Sequence, residues 1–311
     1  MYKFFWPLLL IIFILISLKS SACITSEQQI SDKKKPARSS KPIIKRPQGL
    51  YLDSSFLSIL GNANKEDSLL KWAKANYFNK FSYYHMGKIL ASEMTTSLSS
   101  FIEKARTSGI EDHVAIMGGD STFTLIQAYN NSQSFKSKFT SIQIEDEWWQ
   151  SDNSIKDFYH VVDLLKEMKA WGTAQNPIVS VDLYFGRFNN IPGTDEDAAD
   201  TLIKYSDRVL IAHQFDDPIT NFYPKYLKNR VKKFHYAAKN ANKSYPILII
   251  LYPGQAPSYY GKHSYQMAFN NFNDKKWRNY TRSKDMVQGY VVFSLTEALH
   301  FNQLKFTGRK N

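Results

Sequence analysis

Short apolar runs alternate along most of this chain with longer stretches of helical spacing. The runs predict strands at 49–53, 80–85, 113–120, 139–148, 177–184, 208–215, 245–252 and 287–295. The spaced stretches predict helices over 68–78, 96–108, 122–130, 155–171, 195–205, 223–240, part of 263–280, and 297–306. In 155–171, Val161, Val162, Leu164, Leu165 and Met168 mark the apolar side. Gly109 follows its helix as a C-cap would, and Asp195 opens an acidic first turn that suits the helix dipole. Eight strand–helix units in series predict a single (β/α)8 TIM barrel over residues 47–311. The alternative, an open doubly wound sheet, should carry a Gly-x-Gly-x-x-Gly turn, and Gly118-Gly119 is too short to be one.

Residues 1–46 break the pattern. Lys3 precedes an apolar run from Phe4 to Leu18, and Ser20, Ser21 and Ala22 supply small residues for cleavage. Residues 1–22 therefore predict a signal peptide, the run being short of the ~20 residues a spanning helix needs. An uncleaved anchor is the alternative. Cys23 is the chain's sole cysteine, so no intrachain disulfide forms. Ser20-Ser21-Ala22-Cys23 is similar to a loose lipobox, which makes Cys23 the expected lipidation site; ordinary cleavage would leave it a bare thiol. Residues 23–46 hold seven bases against Glu27 and Asp32, with few apolar side chains, and predict a flexible basic linker. The net charge of +12 is thus largely a property of the tail. It suits an acidic membrane or wall surface and, with the export signal, argues against nucleic acid. The expected location is the cell envelope, as a lipoprotein, or the periplasm or medium.

An active site in such a barrel lies at the C-terminal ends of the strands. Asp53, His85, Asp120, Asp182, Tyr184, His213, Asp216, Tyr252 and Glu297 are expected at or just beyond those ends. Strand four carries the strongest signal. Alternation puts Ile142 and Ile144 on one face and Gln143, Glu145 and Glu147 on the other. The isoleucines should face the helices, and the polar ladder should climb the barrel interior to its mouth. Two carboxylates on one inner face repel, so one should hold its proton near neutral pH, as a general acid must. A structural polar cluster with Lys or Arg is the competing reading.

This ladder resembles the Asp-x-x-Asp-x-Asp-x-Glu signature of family 18 glycoside hydrolases, the chitinase and endo-N-acetylglucosaminidase group. The resemblance puts Glu147 in the place of the catalytic acid and Glu145 in that of the residue orienting the substrate N-acetyl group. Gln143 and Thr140 take the two earlier aspartate places, and Glu147 is the one identity. His213 or Phe215 stands where the family has a strand-six Tyr, and Phe293 falls near its strand-eight Trp. The 145–149 and 49–53 runs are also similar to bacterial surface proteins with glycosidase-like barrels.

Aromatic residues add a second reason to expect a carbohydrate partner. Trp148 and Trp149 follow the carboxylates, and Tyr83, Tyr84, Tyr184, Phe185, Tyr252, Tyr259 and Tyr260 fall at strand ends or just beyond. Aromatic faces stack on sugar C–H faces while carboxylates and amides hold hydroxyls. The expected substrate-binding set is Asp53, Asp120, Gln143, Trp148, Trp149, Asp182, Tyr184 and Tyr252 around the catalytic Glu147 and Glu145. No cofactor and no metal are expected: histidines at metal spacing and cysteine pairs are both lacking. A metal held by Asp120, Glu145 and Asp182 is the lesser alternative. The sequence thus leaves two main readings. One is a glycoside hydrolase acting on N-acetylated glycans at the envelope. The other is a non-catalytic envelope lipoprotein that binds a glycan or protein partner through the barrel mouth.

Overall fold

The computed structural model describes residues 46–152, 154–189, 191–213, 225–275 and 286–306. Eight parallel strands close into a barrel in chain order. They are β1 (Gln48–Leu52), β2 (Lys80–Tyr83), β3 (Asp112–Met117), β4 (Ser141–Ile144), β5 (Ser180–Phe185), β6 (Arg208–His213), β7 (Ile247–Leu251) and β8 (Gly289–Val292). Closure comes from β8 pairing β1, with Gln48 opposite Tyr290 and Leu50 opposite Val292.

The helices are α1 (Ala63–Ala75), α2 (Met86–Leu90), α3 (Met94–Thr107), α4 (Asp120–Ser132), α5 (Ser154–Ala174), α6 (Asp195–Tyr205), α7 (Lys225–Asn240), α8 (Pro257–Tyr260), α9 (Tyr265–Lys275) and α10 (Leu295–Phe306). Every strand and long helix that the periodicity predicts is present. The short α2 and α8 were not predicted, because a single helical turn leaves no period to read. Thr194 caps α6 through a reciprocal pair with Asp197, which gives its acidic first turn a mechanical role as well as an electrostatic one.

Alternation along the strands separates two environments. Ile142 and Ile144 are buried, on the face opposite Gln143. Gln143 on β4 donates to the Tyr51 hydroxyl on β1 across 3.0 Å, a contact that only the barrel interior allows. Deeper inside lies an ionic core. Lys80 Nζ reaches Asp182 at 2.9 Å and Asp112 at 3.2 Å. Arg208 reaches the same two carboxylates at 2.7 and 2.8 Å, and also donates to Ser141. Two cations therefore face two anions within a packed barrel. Burial opposes the charge on Asp112, but Arg208 and then Lys80 outweigh it and hold the carboxyl well below the usual range. Gly49 makes room for this core: a Cβ there would come within 2.9 Å of Val291 and 3.2 Å of the Lys80 stem.

Candidate functional site

β4 ends at Ile144, and residues 145–147 lie beyond its pairing register. Glu145 continues the inward ladder. The Tyr84 hydroxyl, one residue past β2, lies 2.5 Å from both Glu145 carboxyl oxygens. Gln143 Nε2 stands 3.5 Å below, so the amide links Glu145 to Tyr51. Burial raises the Glu145 pKa to about 7; the Tyr84 hydrogen bond opposes the shift and the charge of Glu147 adds to it. Glu147 accepts from the Tyr184 hydroxyl at 2.8 Å and from the Gln150 amide. Each carboxyl is thus held by a tyrosine from a different strand. Burial pushes both phenols far above their usual range, so Tyr84 and Tyr184 act as fixed donors.

An aromatic box surrounds the pair. Phe293, past the end of β8, packs at ring distances of 5.4 Å on Tyr51, 5.9 Å on Tyr84 and 5.2 Å on Tyr252. Tyr252 also hydrogen-bonds Tyr184, which joins the box to Glu147. A cleft of about 490 Å³ opens over Glu145 and Glu147, and its other walls include Tyr84, His85, Lys88, Met117 and Gly118. The site therefore offers a carboxyl that holds its proton near neutrality, a second carboxyl beside it and apolar ring surface. That combination can protonate a leaving oxygen. If Tyr84→Phe removes the opposing hydrogen bond, the Glu145 pKa should rise above about 7, read by carboxyl-carbon NMR titration. A fall or no change would show that the phenol does not govern this proton.

Several residues expected here lie elsewhere. Asp182 belongs to the ionic core and is 0% exposed, so it cannot touch a ligand at the mouth. The reason is register: β5 starts at Ser180 rather than Pro177, leaving Asp182 mid-strand. Trp148 and Trp149 are 1% and 6% exposed, not open stacking platforms. With β4 ending early, they form a 3-10 turn that packs onto Phe158, Tyr184 and Phe185. A Cβ on Gly186 would fall 2.4 Å from the Trp149 ring, so that glycine is what admits it. Asp120 opens α4 and faces the groove toward α5, 3.7 Å from His160, rather than the cleft. The turn at Gly118-Gly119, with φ 138° at Gly119, takes the chain outward before Asp120. Asp53 is half-buried and caps the turn after β1, accepting from Ser55, Ser294 and Thr296.

Gln143, Glu145, Glu147, Tyr184 and Tyr252 are brought together. Asp120, Glu145 and Asp182 are not, which removes the three-carboxylate metal site. Among the described residues no group of three or more His, Cys, Asp or Glu is placed to hold a metal. His113 is fully buried between the Tyr83 hydroxyl and the Ile110 carbonyl, and burial lowers its pKa to about 3. Tyr83 goes with it to the helix side, while Tyr84 turns to the mouth. Cys23 and Asp216 lie outside the described residues, as does the side chain of His213. The sequence named Tyr84 as a strand-end aromatic and placed Phe293 near the family's strand-eight Trp, but the Tyr84–Glu145 and Tyr51–Gln143 hydrogen bonds were not drawn from it. Lys80, Ser82 and Tyr84 share one parity, the same alternation that marks β4, and would have pointed Tyr84 inward.

No protein-family model matches the chain, and no curated protein matches it. Solved structures resemble it. A 3-keto-D-glucoside 4-epimerase from E. coli is 14% identical over 84% of this chain and 98% of its own, with a TM-score of 0.47. The ICChI chitinase from Ipomoea carnea is 14% identical over 83% and 98%, with a TM-score of 0.46. A chitinase from Bacteroides thetaiotaomicron is 13% identical over 81% and 90%, with a TM-score of 0.43. At these identities the likeness is one of fold alone.

Proposed function

We propose that the protein is a glycoside hydrolase acting on N-acetylated glycans at the cell envelope, with Glu145 and Glu147 as its working carboxyls. The observation that carries this reading is the tyrosine-held carboxyl pair at the barrel mouth, one member of which keeps its proton to about pH 7. The sequence pattern gave the acid role to Glu147. The surroundings favour Glu145 as the proton donor, because it is the more enclosed and is raised by burial and by its neighbour's charge. Glu147 then serves at the opposite side of the scissile bond, as nucleophile or as the group orienting the N-acetyl arm. Phe293 and Tyr84 supply ring surface for the sugar, with Tyr252 packed behind them.

Glu147→Gln tests the pair. Turnover of N-acetylglucosamine oligosaccharides should fall by about 10²-fold or more while binding survives. Wild type and variant equally inert on a broad glycan panel would overturn the catalytic reading. Gln143 and Glu145, which stand where the family signature has aspartates, favour a second reading, a barrel that binds glycan without turning it over. Glycan binding that Glu147→Gln leaves intact, with no hydrolysis by wild type, would select it.

A further inference from the structure

The two ends of the barrel differ in charge, and the three most exposed large apolar side chains among the described residues lie at one of them. Ile155 and Tyr159, at the start of α5, are exposed to 53% and 51%. All helices that follow strands start at the mouth and finish at the opposite end. First turns there carry Glu66, Asp120, Asp157, Asp195, Glu196, Asp197 and Glu297. Last turns carry Lys74, Arg106, Lys204 and Lys239, with Arg106 4.0 Å from Glu111, while Lys104 is taken up by Glu66 and Asp67 at 3.0 and 3.1 Å. Complementing the helix dipoles accounts for this much. It does not account for the apolar side chains on the same basic end. Tyr77, Phe135 and Ile178 are 73%, 61% and 63% exposed. They sit on the loops before β2, β4 and β5, where polar residues would cost nothing.

These loops form one continuous rim. The Asn79 carbonyl, two residues after Tyr77, accepts from the backbones of Glu111 and Asp112. Arg106 bonds the Glu111 and Lys138 carbonyls and lies 5.7 Å over the Phe135 ring. The Thr140 carbonyl accepts from Ser180, two residues after Ile178. Lys136, beside Phe135, is exposed. The chain also reaches the barrel at this end, since Arg46 precedes β1 and its carbonyl accepts from Asn79. Upstream of it the sequence has its basic run and its apolar segment.

We propose that this basic, aromatic-studded end of the barrel docks on an anionic phospholipid surface, leaving the cleft facing away from the membrane. Lysines at a surface of this kind attract acidic headgroups, and exposed Tyr, Phe and Ile side chains enter the interfacial layer. The occupant follows from charge complementarity and from the side on which the N-terminal segment joins. It does not depend on what the cleft binds.

The test uses the full chain with phosphatidylcholine vesicles, with and without phosphatidylglycerol. Hydrogen exchange should slow at 76–79, 134–138 and 176–179 when acidic vesicles are added, and stay unchanged at 84–90 and 118–122. Tyr77→Ser/Phe135→Ser/Ile178→Ser should lower partitioning by tenfold or more, on the order of what buried side chains of this size contribute. Lys136→Glu should lower it by about fivefold, and the loss should shrink in high salt. The N-terminal segment is the same in every variant, so its own membrane affinity cancels. Unchanged partitioning of the triple variant, or protection at the mouth loops instead, would overturn the proposal. So would binding that is indifferent to phosphatidylglycerol.

Discussion

Arg208→Met should lose about 3–5 kcal/mol of folding stability, the largest effect expected of any single substitution outside the cleft. In a barrel of this size the melting temperature should fall by on the order of 10 °C. The expectation follows from charge arithmetic inside the barrel. Arg208 holds both Asp112 and Asp182, and Lys80 alone would then face the fully buried Asp182 and the half-buried Asp112. The sign with pH also follows. The Asp112 pKa is depressed in the fold, so its contribution is present above the unfolded carboxylate value and is lost as pH falls below it. Wild type should therefore weaken in acid. The double variant Arg208→Met/Asp182→Leu removes one charge of each sign and should be less destabilised than the two single effects added. A single variant that melts with wild type would mean that the four groups do not act as one cluster.

Glu145→Gln should abolish the proposed activity and stabilise the protein, and the two effects have one cause. Loss of the proton donor lowers turnover by about 10²–10⁴-fold. The folded-state pKa of about 7 exceeds the ordinary glutamate value of 4.5, so the native state holds the proton more tightly between those values. Stability then falls as pH rises from about 4.5 to about 7. Above that window the charged carboxylate costs the fold about 3 kcal/mol, and glutamine removes the cost. Denaturation at pH values on either side of the window reads this directly. The variant should match wild type in acid and exceed it at alkaline pH. Equal stability at every pH would show that the carboxylate is not penalised in the fold.

The fold was legible because a barrel repeats one signal eight times. Boundary errors of several residues, as at Ser68 against Ala63, do not disturb a count of strand–helix units. The site depends on those same boundaries and was legible only in part. The ladder Gln143, Glu145, Glu147 survived although β4 stops at Ile144, because Tyr84 and Tyr184 hold the two carboxyls at the cleft. Asp182 and Trp148 did not survive, because both depended on strand ends that lie three or four residues from the expected places. Asp120 was lost to a glycine turn whose direction no propensity reveals. Tyr84 and Phe293 join the carboxyls through contacts between strands far apart in sequence, which only barrel closure brings together.

The proton on Glu145 is the core of the functional account, and the pH dependence of kcat/KM tests it most directly. With N-acetylglucosamine oligosaccharides as substrate, wild type should show an alkaline limb near pH 7, set by Glu145. Tyr84→Phe should move that limb upward, and Glu145→Gln should remove it together with the activity. Hydrolysis with a limb that neither substitution moves, or by Glu145→Gln at the wild-type rate, would contradict the assignment.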